Sequence, residues 1–445
     1  MPKGLPSRDR TRRILRLALP ILGAMASQNV LNLVDAAMLA HLGDRALAAV
    51  GATSLLNFVL SAVFMGSSAG VQAIAARRVG EGRGEDAAGP LDAGLLVVLA
   101  IAVPWAIVLH RFAPSLVGLM SDDPAVIAEG TPYLRARLFA VPAIGMNFAF
   151  RGFWSAVDRP GLYMKTLVFV HGTTILLDYL LIDGRFGFPA LGATGAGVAN
   201  AIALWLGTVT YVGLGLRHAR GHGFLRRLPD RESVLGIVRV GLPAGLQQLV
   251  YSLGLAAFAF VVARIGTREL AASKILTDVL LVFVLPGLGF GLASATLVGQ
   301  SLGARQPDEA ERWTWDVVRV ATLLVAVMAV PALLFPDLVL RGFLRDPATR
   351  ALAVPVLRLL MLGVATDTIG TVLMNALLGA GDAKRVVLVG TVLQWGICLP
   401  AAYLLGVRLG LGLFAAYAAQ VAYRQLQVVV FSRLFKQGAW RSIRV

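Results

Sequence analysis

The chain has 445 residues, 57% of them hydrophobic and 15% charged, with a formal net charge of +16. At a prior of ~150 residues per domain it would form about three soluble domains, but it lacks the charged surface that soluble domains need. Apolar runs long enough to cross the ~30 Å hydrocarbon layer as helices recur from end to end, as in "LLVVLAIAVPWAIVL" (95–109) and "ATLLVAVMAVPALLF" (321–335), so the composition reads as an all-α polytopic membrane protein.

The first apolar stretch extends from Ile14 to Leu42. "AMA" at 24–26 resembles a signal-peptide cleavage site, yet the run continues past it and is too long for a signal core, which makes it the first span. It carries Gln28, Asn32 and Asp35, spaced four and three apart and therefore on one helix face. It also carries Pro20, whose missing N–H and ring clash supply a candidate hinge. Five more spans follow at 51–77, 92–111, 132–156, 163–182 and 191–215. The fifth places His171, Thr174 and Asp178 at spacings of three and four, and the sixth places Asn200 within "GAGVANAIA". Met25, Met38, Met65 and Met146 fall in the same half and are candidates to line an adaptable substrate pocket.

The polar connection "RHARGHGFLRRLPDRES" (217–233) separates an N-terminal six-helix bundle (1–216) from a C-terminal one (234–445). The spans of the second bundle are 235–264, 273–301, 314–335, 352–379, 385–407 and 410–433. Asp367 on the tenth span is a candidate second ion site, and Lys274 and Asp278, one turn apart, are expected to pair.

Basic residues gather at alternate connections: Arg8, Arg10, Arg12 and Arg13; Arg77, Arg78 and Arg83; the 217–231 segment; Lys384 and Arg385; then Arg433, Lys436, Arg441 and Arg444. The positive-inside bias puts these connections and both termini in the cytoplasm. It assigns the positive charge to membrane topology rather than to nucleic acid. The single cysteine, Cys398, excludes an intrachain disulfide. There is no "CxxC", "HExxH", Walker loop or "GxSxG", so neither an enzyme nor direct ATP drive is expected, and no cofactor.

Comparing the sequence with itself at an offset of 223 reveals a repeat. Pro20 aligns with Pro243; Gly43, Arg45, Leu47 and Ala48 with Gly266, Arg268, Leu270 and Ala271; and "DPA" at 123–125 with 346–348. Six spans per half, an even number, make both halves enter from one membrane face. Such halves are expected to relate by a pseudo-two-fold axis along the membrane normal.

"LALPILGAMASQNVLNLVDAAMLAHLG", "ASATLVGQSLGARQPDEA" (293–310) and "MNALLGAGDAKR" (374–385) resemble segments of the multidrug and toxic compound extrusion (MATE) transporters. The pattern is most similar to their DNA-damage-inducible (DinF-like) branch, marked by aspartates on the first and fifth helices, here Asp35 and Asp178. The other bacterial branch carries a seventh-helix glutamate where this chain has Tyr251. The resemblance implies an inner-membrane exporter of drugs or toxic organic compounds, driven by inward protons or sodium; a monomer is expected. Family members proposed to bind sodium place an asparagine before the fifth-helix aspartate and a threonine on the sixth. Thr174 and Asn200 replace them here, so protons are the first expectation and sodium at Asp35 and Asp178 the second.

An aspartate at mid-span costs about 2.5–3.5 kcal/mol on insertion scales. In the repeat Asp35 aligns with Phe258, and Asp178 falls near Ala402, so the fold tolerates apolar residues at these places. Asp35 and Asp178 are therefore read as the cation-coupling pair, with Gln28, Asn32, His171, Thr174 and Asn200 forming a polar chamber around them. A flippase for lipid-linked sugars is the alternative; it would need several mid-span arginines or lysines to hold a pyrophosphate.

Overall fold

Two Asp-Pro-Ala triplets start two helices in the same way. Asp123 stands in extended conformation, and its side chain accepts from the Ala125 N–H at 2.8 Å. Asp346 accepts from the N–H groups of Ala348 and Thr349 at 3.4 and 3.0 Å. In both, proline takes the first helical position, where its missing N–H costs nothing. The repeated triplet is thus a repeated helix cap.

The computed structural model describes residues 6–344 and 346–443, less the side chains at 44, 45, 47, 48 and 52. Arg444, and the side chains of the repeat residues Arg45, Leu47 and Ala48, lie outside the described residues. Among the described residues there is no strand. The first part of the chain forms α1 (Arg8–Leu39), α2 (Asp44–Ala62), α3 (Gly66–Gly80), α4 (Gly89–Arg111) and the short α5 (Ala113–Gly118). It continues through α6 (Pro124–Phe139), α7 (Val141–Ala156), α8 (Pro160–Leu181) and α9 (Ala193–His218). The second part forms α10 (Arg231–Ala263), α11 (Thr267–Gly303), α12 (Pro307–Leu334), the short α13 (Pro336–Arg341), α14 (Pro347–Gly379), α15 (Ala383–Thr391), α16 (Leu399–Tyr403) and α17 (Gly412–Gln437).

All twelve spans expected from the sequence are helical, and ten are long and apolar enough by themselves to cross a membrane. The other two are the α6–α7 segment, broken at Ala140 just before Pro142, and α17, where Gln420, Arg424, Gln425 and Gln427 lower the hydropathy. The eleventh span contains π-helical stretches at Val392–Cys398 and Leu404–Arg408 on either side of α16. Pro400, at the start of α16, can neither donate to the ladder nor fit its ring against the preceding turn, which accounts for the irregular winding there.

The chain forms two compact units, one of residues Pro20–Leu246 and the other of residues up to Leu19 together with those from Gln247 onward. This division differs from the sequence halves expected at 217–233, and named contacts explain it. Within the second unit Arg10 pairs with Glu309 at 3.0 Å and with Asp316 at 2.5 Å, lies 3.7 Å over the Trp313 ring, and is followed by Arg13 donating to Gln300 at 2.7 Å. Within the first unit the opening turns of α10 press on α2–α3. A Cβ on Gly66 would lie 2.1 Å from the Gly241 carbonyl oxygen, and one on Gly245 would lie 2.0 Å from that of Val63. Lipid removes the hydrophobic drive between helices, so small residues that let backbones approach supply the packing instead. The chain therefore passes from one unit to the other inside α1, at Pro20, and inside α10, just after Pro243.

The core of the first unit stacks Phe150 on Tyr211, with ring centroids 5.2 Å apart. The core of the second sets Phe258 edge-on to Tyr417 at 5.2 Å, with the Tyr417 hydroxyl 2.8 Å from that of Ser273.

Candidate functional site

The face predicted on the first span exists. On α1, Gln28 donates from Nε2 to Asn32 Oδ1 at 3.1 Å, and Gln28 Oε1 lies 3.1 Å from His171 Nε2 on α8. His171 Nδ1 lies 2.9 Å from the Ser27 hydroxyl, completing a chain of four polar side chains across the two helices. A ring protonated at Nε2 satisfies it: Nε2–H donates to Gln28, and Nδ1 accepts from Ser27. Ser27 also lies 2.8 Å from the Ala24 carbonyl, so its one proton has a second acceptor.

Further along the two helices, three residues past Asn32 and seven past His171, the carboxyl groups of Asp35 and Asp178 face one another at hydrogen-bonding range. Asp178 is 1% exposed and Asp35 half-buried. In each, one buried carboxyl oxygen has no protein donor. Arg137, on α6, acts electrostatically on both, yet among the described residues neither aspartate forms an ion pair. Thr174 is fully buried and turns its hydroxyl to the Val170 carbonyl of its own helix at 3.0 Å.

Beside this pair lies a cavity of about 390 Å³, wholly within the first unit. Gln28, Asn32 and Asn200 line it, together with Arg137 and the apolar faces of Phe58, Phe148, Leu167 and Leu204, while Asp35, Asp178, His171 and Thr174 stand outside its lining. Its walls also hold unpaired buried oxygens: Asn57 Oδ1, Ser61 Oγ and Asn200 Oδ1. A buried polar atom without a partner costs free energy that water, a cation or a donating solute recovers. The chamber is therefore rich in acceptors, amphipathic and fit for a small organic molecule.

Of the four methionines, Met65 lines the cavity. Met38 packs instead with the cluster around Leu39, Ala46 and Val50, Met146 is buried in α7, and Met25 is half-buried on α1. Pro20 lies inside a continuous α1. Lys274 and Asp278 pair at 2.8 Å as expected. Asp367 already faces a cation: Arg424 of α17 lies 3.6 Å away and also donates to the Tyr251 hydroxyl at 2.8 Å. At the end of α8, His41 Nε2 lies 2.7 Å from Asp183, and this hydrogen bond, with Arg185 next, holds the Asp183 carboxyl below its ordinary range.

The sequence reading missed Arg137, Asn57, Ser61, Tyr163 and Tyr211, all cavity-lining. For Arg137 a signal existed. It is a basic residue within a span whose repeat counterpart is Leu360, the same mismatch that singled out Asp35.

Twelve helical spans in two sequence repeats, one holding an acidic pair beside an amphipathic cavity, define a multi-pass membrane transporter. The chain belongs to the MatE family, whose model matches it twice, over residues 20–180 and 243–404. The two matches begin at the prolines that the internal repeat aligns. Among its relatives, a probable multidrug resistance protein NorM from Aromatoleum aromaticum is 30% identical over 88% of this chain and 85% of its own. Another NorM, from Pseudomonas aeruginosa, is 30% identical over 92% and 85%. The fold is that of a MOP superfamily transporter from Pyrococcus furiosus, with a TM-score of 0.89, 22% identity, and coverage of 98% of this chain and 97% of that one.

Proposed function

We propose that this chain is a secondary active antiporter that exports cationic or polar organic compounds, multidrug efflux in kind, in exchange for inward protons. The carrying observation is the Asp35–Asp178 pair: two carboxyl groups at hydrogen-bonding range, beside the cavity and outside any ion pair. Two such groups repel when both are ionised, and one shared proton turns the contact into a hydrogen bond. Without the proton, the chamber is negative enough to hold a cationic solute. With it, the charge is gone, α1 repacks from Pro20 onward, and the cavity contracts. One proton entering down ~100 mV supplies about 2.3 kcal/mol. The shared-proton geometry ranks protons above sodium, for which Asp35, Asp178 and the free Asn200 oxygen are the ligands on offer. Among the described residues Arg137 is the one guanidinium on the cavity wall, which disfavours the pyrophosphate-holding flippase. Placement in the DinF-like branch rests on Asp35, Asp178 and Tyr251. The basic connections support an inner-membrane location with both termini cytoplasmic.

The test is efflux of a cationic dye from proteoliposomes under separately imposed pH and sodium gradients, with wild type, Asp35→Asn and Asp178→Asn at equal protein content. Proton-driven efflux lost in both variants is expected. Efflux driven by sodium alone would overturn the choice of ion, and full activity in the Asn variants would remove the pair from the mechanism.

A further inference from the structure

The connection between α9 and α10 is pinned to the helix ends beside it. His222 Nδ1 lies 2.7 Å from the Gly84 carbonyl, Ala88 donates its N–H to the His222 carbonyl at 2.9 Å, and Phe224 is buried edge-on to Phe150. The next residue, Leu225, has φ +52, a left-handed conformation that a branched apolar residue rarely adopts. It is held there by its N–H, which donates to Asp92 Oδ2 of α4 at 2.9 Å. This pinning turns apolar side chains outward: Leu225 is 58% exposed and Leu228 94%. Strain retained to present a surface points to a use for that surface.

Between this loop and the ends of α3 and α4 lies a cleft of about 280 Å³. It holds four arginines and four acids, and half of them pair with one another. Arg78 bonds to Ser233 and to the Asp86 carbonyl and lies 3.7 Å from Asp230, while Arg83 pairs with Glu81 and Asp86. Removing those pairs leaves a pattern. Among the described residues, Arg226 and Arg227 form no ion pair and Glu85 has no partner. Asp92, only 6% exposed, keeps an unpaired Oδ1. Two spare cations and two spare carboxylates facing one cleft fit neither a plain anion nor a plain cation. They fit a ligand with a phosphate and a hydrogen-bonding ammonium a few bonds apart.

We infer that this cleft binds the headgroup of an aminophospholipid, phosphatidylethanolamine in chemical class, with its phosphate on Arg226 and Arg227, its ammonium on Asp92 and Glu85, and its acyl chains against Leu225 and Leu228. The cleft lies where α3 and α9 end and α4 and α10 begin, which is the level at which spans meet headgroups. A choline headgroup has no N–H to give to the carboxylates, and a glycerol headgroup has no positive charge.

The experiment is native mass spectrometry of the full chain titrated with phosphatidylethanolamine, phosphatidylcholine or phosphatidylglycerol of identical acyl chains, with soluble phosphoethanolamine as a competitor. Retention of the ethanolamine lipid roughly ten-fold above the choline lipid is expected, as suits hydrogen bonds to charged groups. Asp92→Asn should erase that preference while its amide oxygen still accepts from Leu225, and the exposed Glu85→Gln should weaken it without touching the loop. Arg226→Gln with Arg227→Gln should lower retention of all three lipids. Equal retention of ethanolamine and choline lipids by wild type, or a preference for the glycerol lipid, would overturn the headgroup assignment. Displacement of the lipid by an equal concentration of phosphoethanolamine would overturn the assignment to a lipid.

Discussion

Asp367 on α14 and Arg424 on α17 lie 3.6 Å apart, and the same guanidinium donates to Tyr251 on α10. The second unit thus ties its carboxylate to a guanidinium, whereas among the described residues the two carboxyl groups of the first unit form no ion pair and feel Arg137 only at longer range. The Asp367 carboxylate has its counter-ion covalently supplied. In the proposed mechanism the Asp35–Asp178 pair takes one from outside.

Removing one partner of a buried ion pair strands the other, at a cost of roughly 3–5 kcal/mol. Arg424→Gln should therefore lower the thermal unfolding midpoint in detergent substantially. Arg424→Gln combined with Asp367→Asn should recover most of the loss. In the double variant, proton-driven efflux should persist. Its disappearance would place Asp367 in the coupling machinery after all.

Asp35 and Asp178 act as one proton-sharing unit in the proposed mechanism, so their substitutions should not add. Asp35→Asn with Asp178→Asn should transport no worse than either single variant in the same proteoliposome assay. A double variant whose loss equals the product of the two single losses would mean that each aspartate has a separate task.

The tie between His41 and Asp183 has a definite pH sign. The folded carboxyl titrates below its ordinary value of ~3.9, so the stabilisation is complete above that value and is lost only as pH falls through the lowered one. The Asp183 carboxyl stays ionised across about pH 5–8, so its own titration cannot serve as the switch. Asp183→Asn should alter stability without moving the pH profile of efflux. A shifted profile would show that the tie feeds into the switch.

Gly245 offers a test of the close approach of α10 to α2–α3. Gly245→Val forces a Cβ into the Val63 carbonyl and should cost about 3 kcal/mol or more, beyond ordinary overpacking. Gly213→Ala, on α9 with nothing within 4 Å of the added carbon, should be neutral or slightly stabilising. Expression and thermal unfolding of the two variants provide the comparison.

Much of this architecture was legible in the sequence because its signals are local. Hydropathy located twelve spans, and the offset that pairs Pro20 with Pro243 and Asp123 with Asp346 located the repeat, since a helix cap and a helix proline each require particular residue types. The helical spacing of Gln28, Asn32 and Asp35, and that of His171, Thr174 and Asp178, placed the right faces of two helices. What escaped were relations between helices distant in sequence. Arg137 reaches the acidic pair from a span with no polar periodicity. Arg424 looked like one of several polar residues on the last span until Asp367 and Tyr251 lay beside it. The unit boundary was read at the polar 217–233 connection because polarity marks a surface turn, and nothing in composition shows that two glycines of α10 pack against α2–α3.

The passage of the chain between units inside α1 has a consequence for biosynthesis. Arg10 and Arg13 are translated well before the side chains that hold them, Asp316 and Gln300, which are 306 and 287 positions downstream. All of the residues between 20 and 246 can be translated, inserted and packed while the opening turns of the first helix still wait. A segment made before the rest of its unit is thus among the last to be fastened, and its arginines reach these partners only once α11 and α12 have been made.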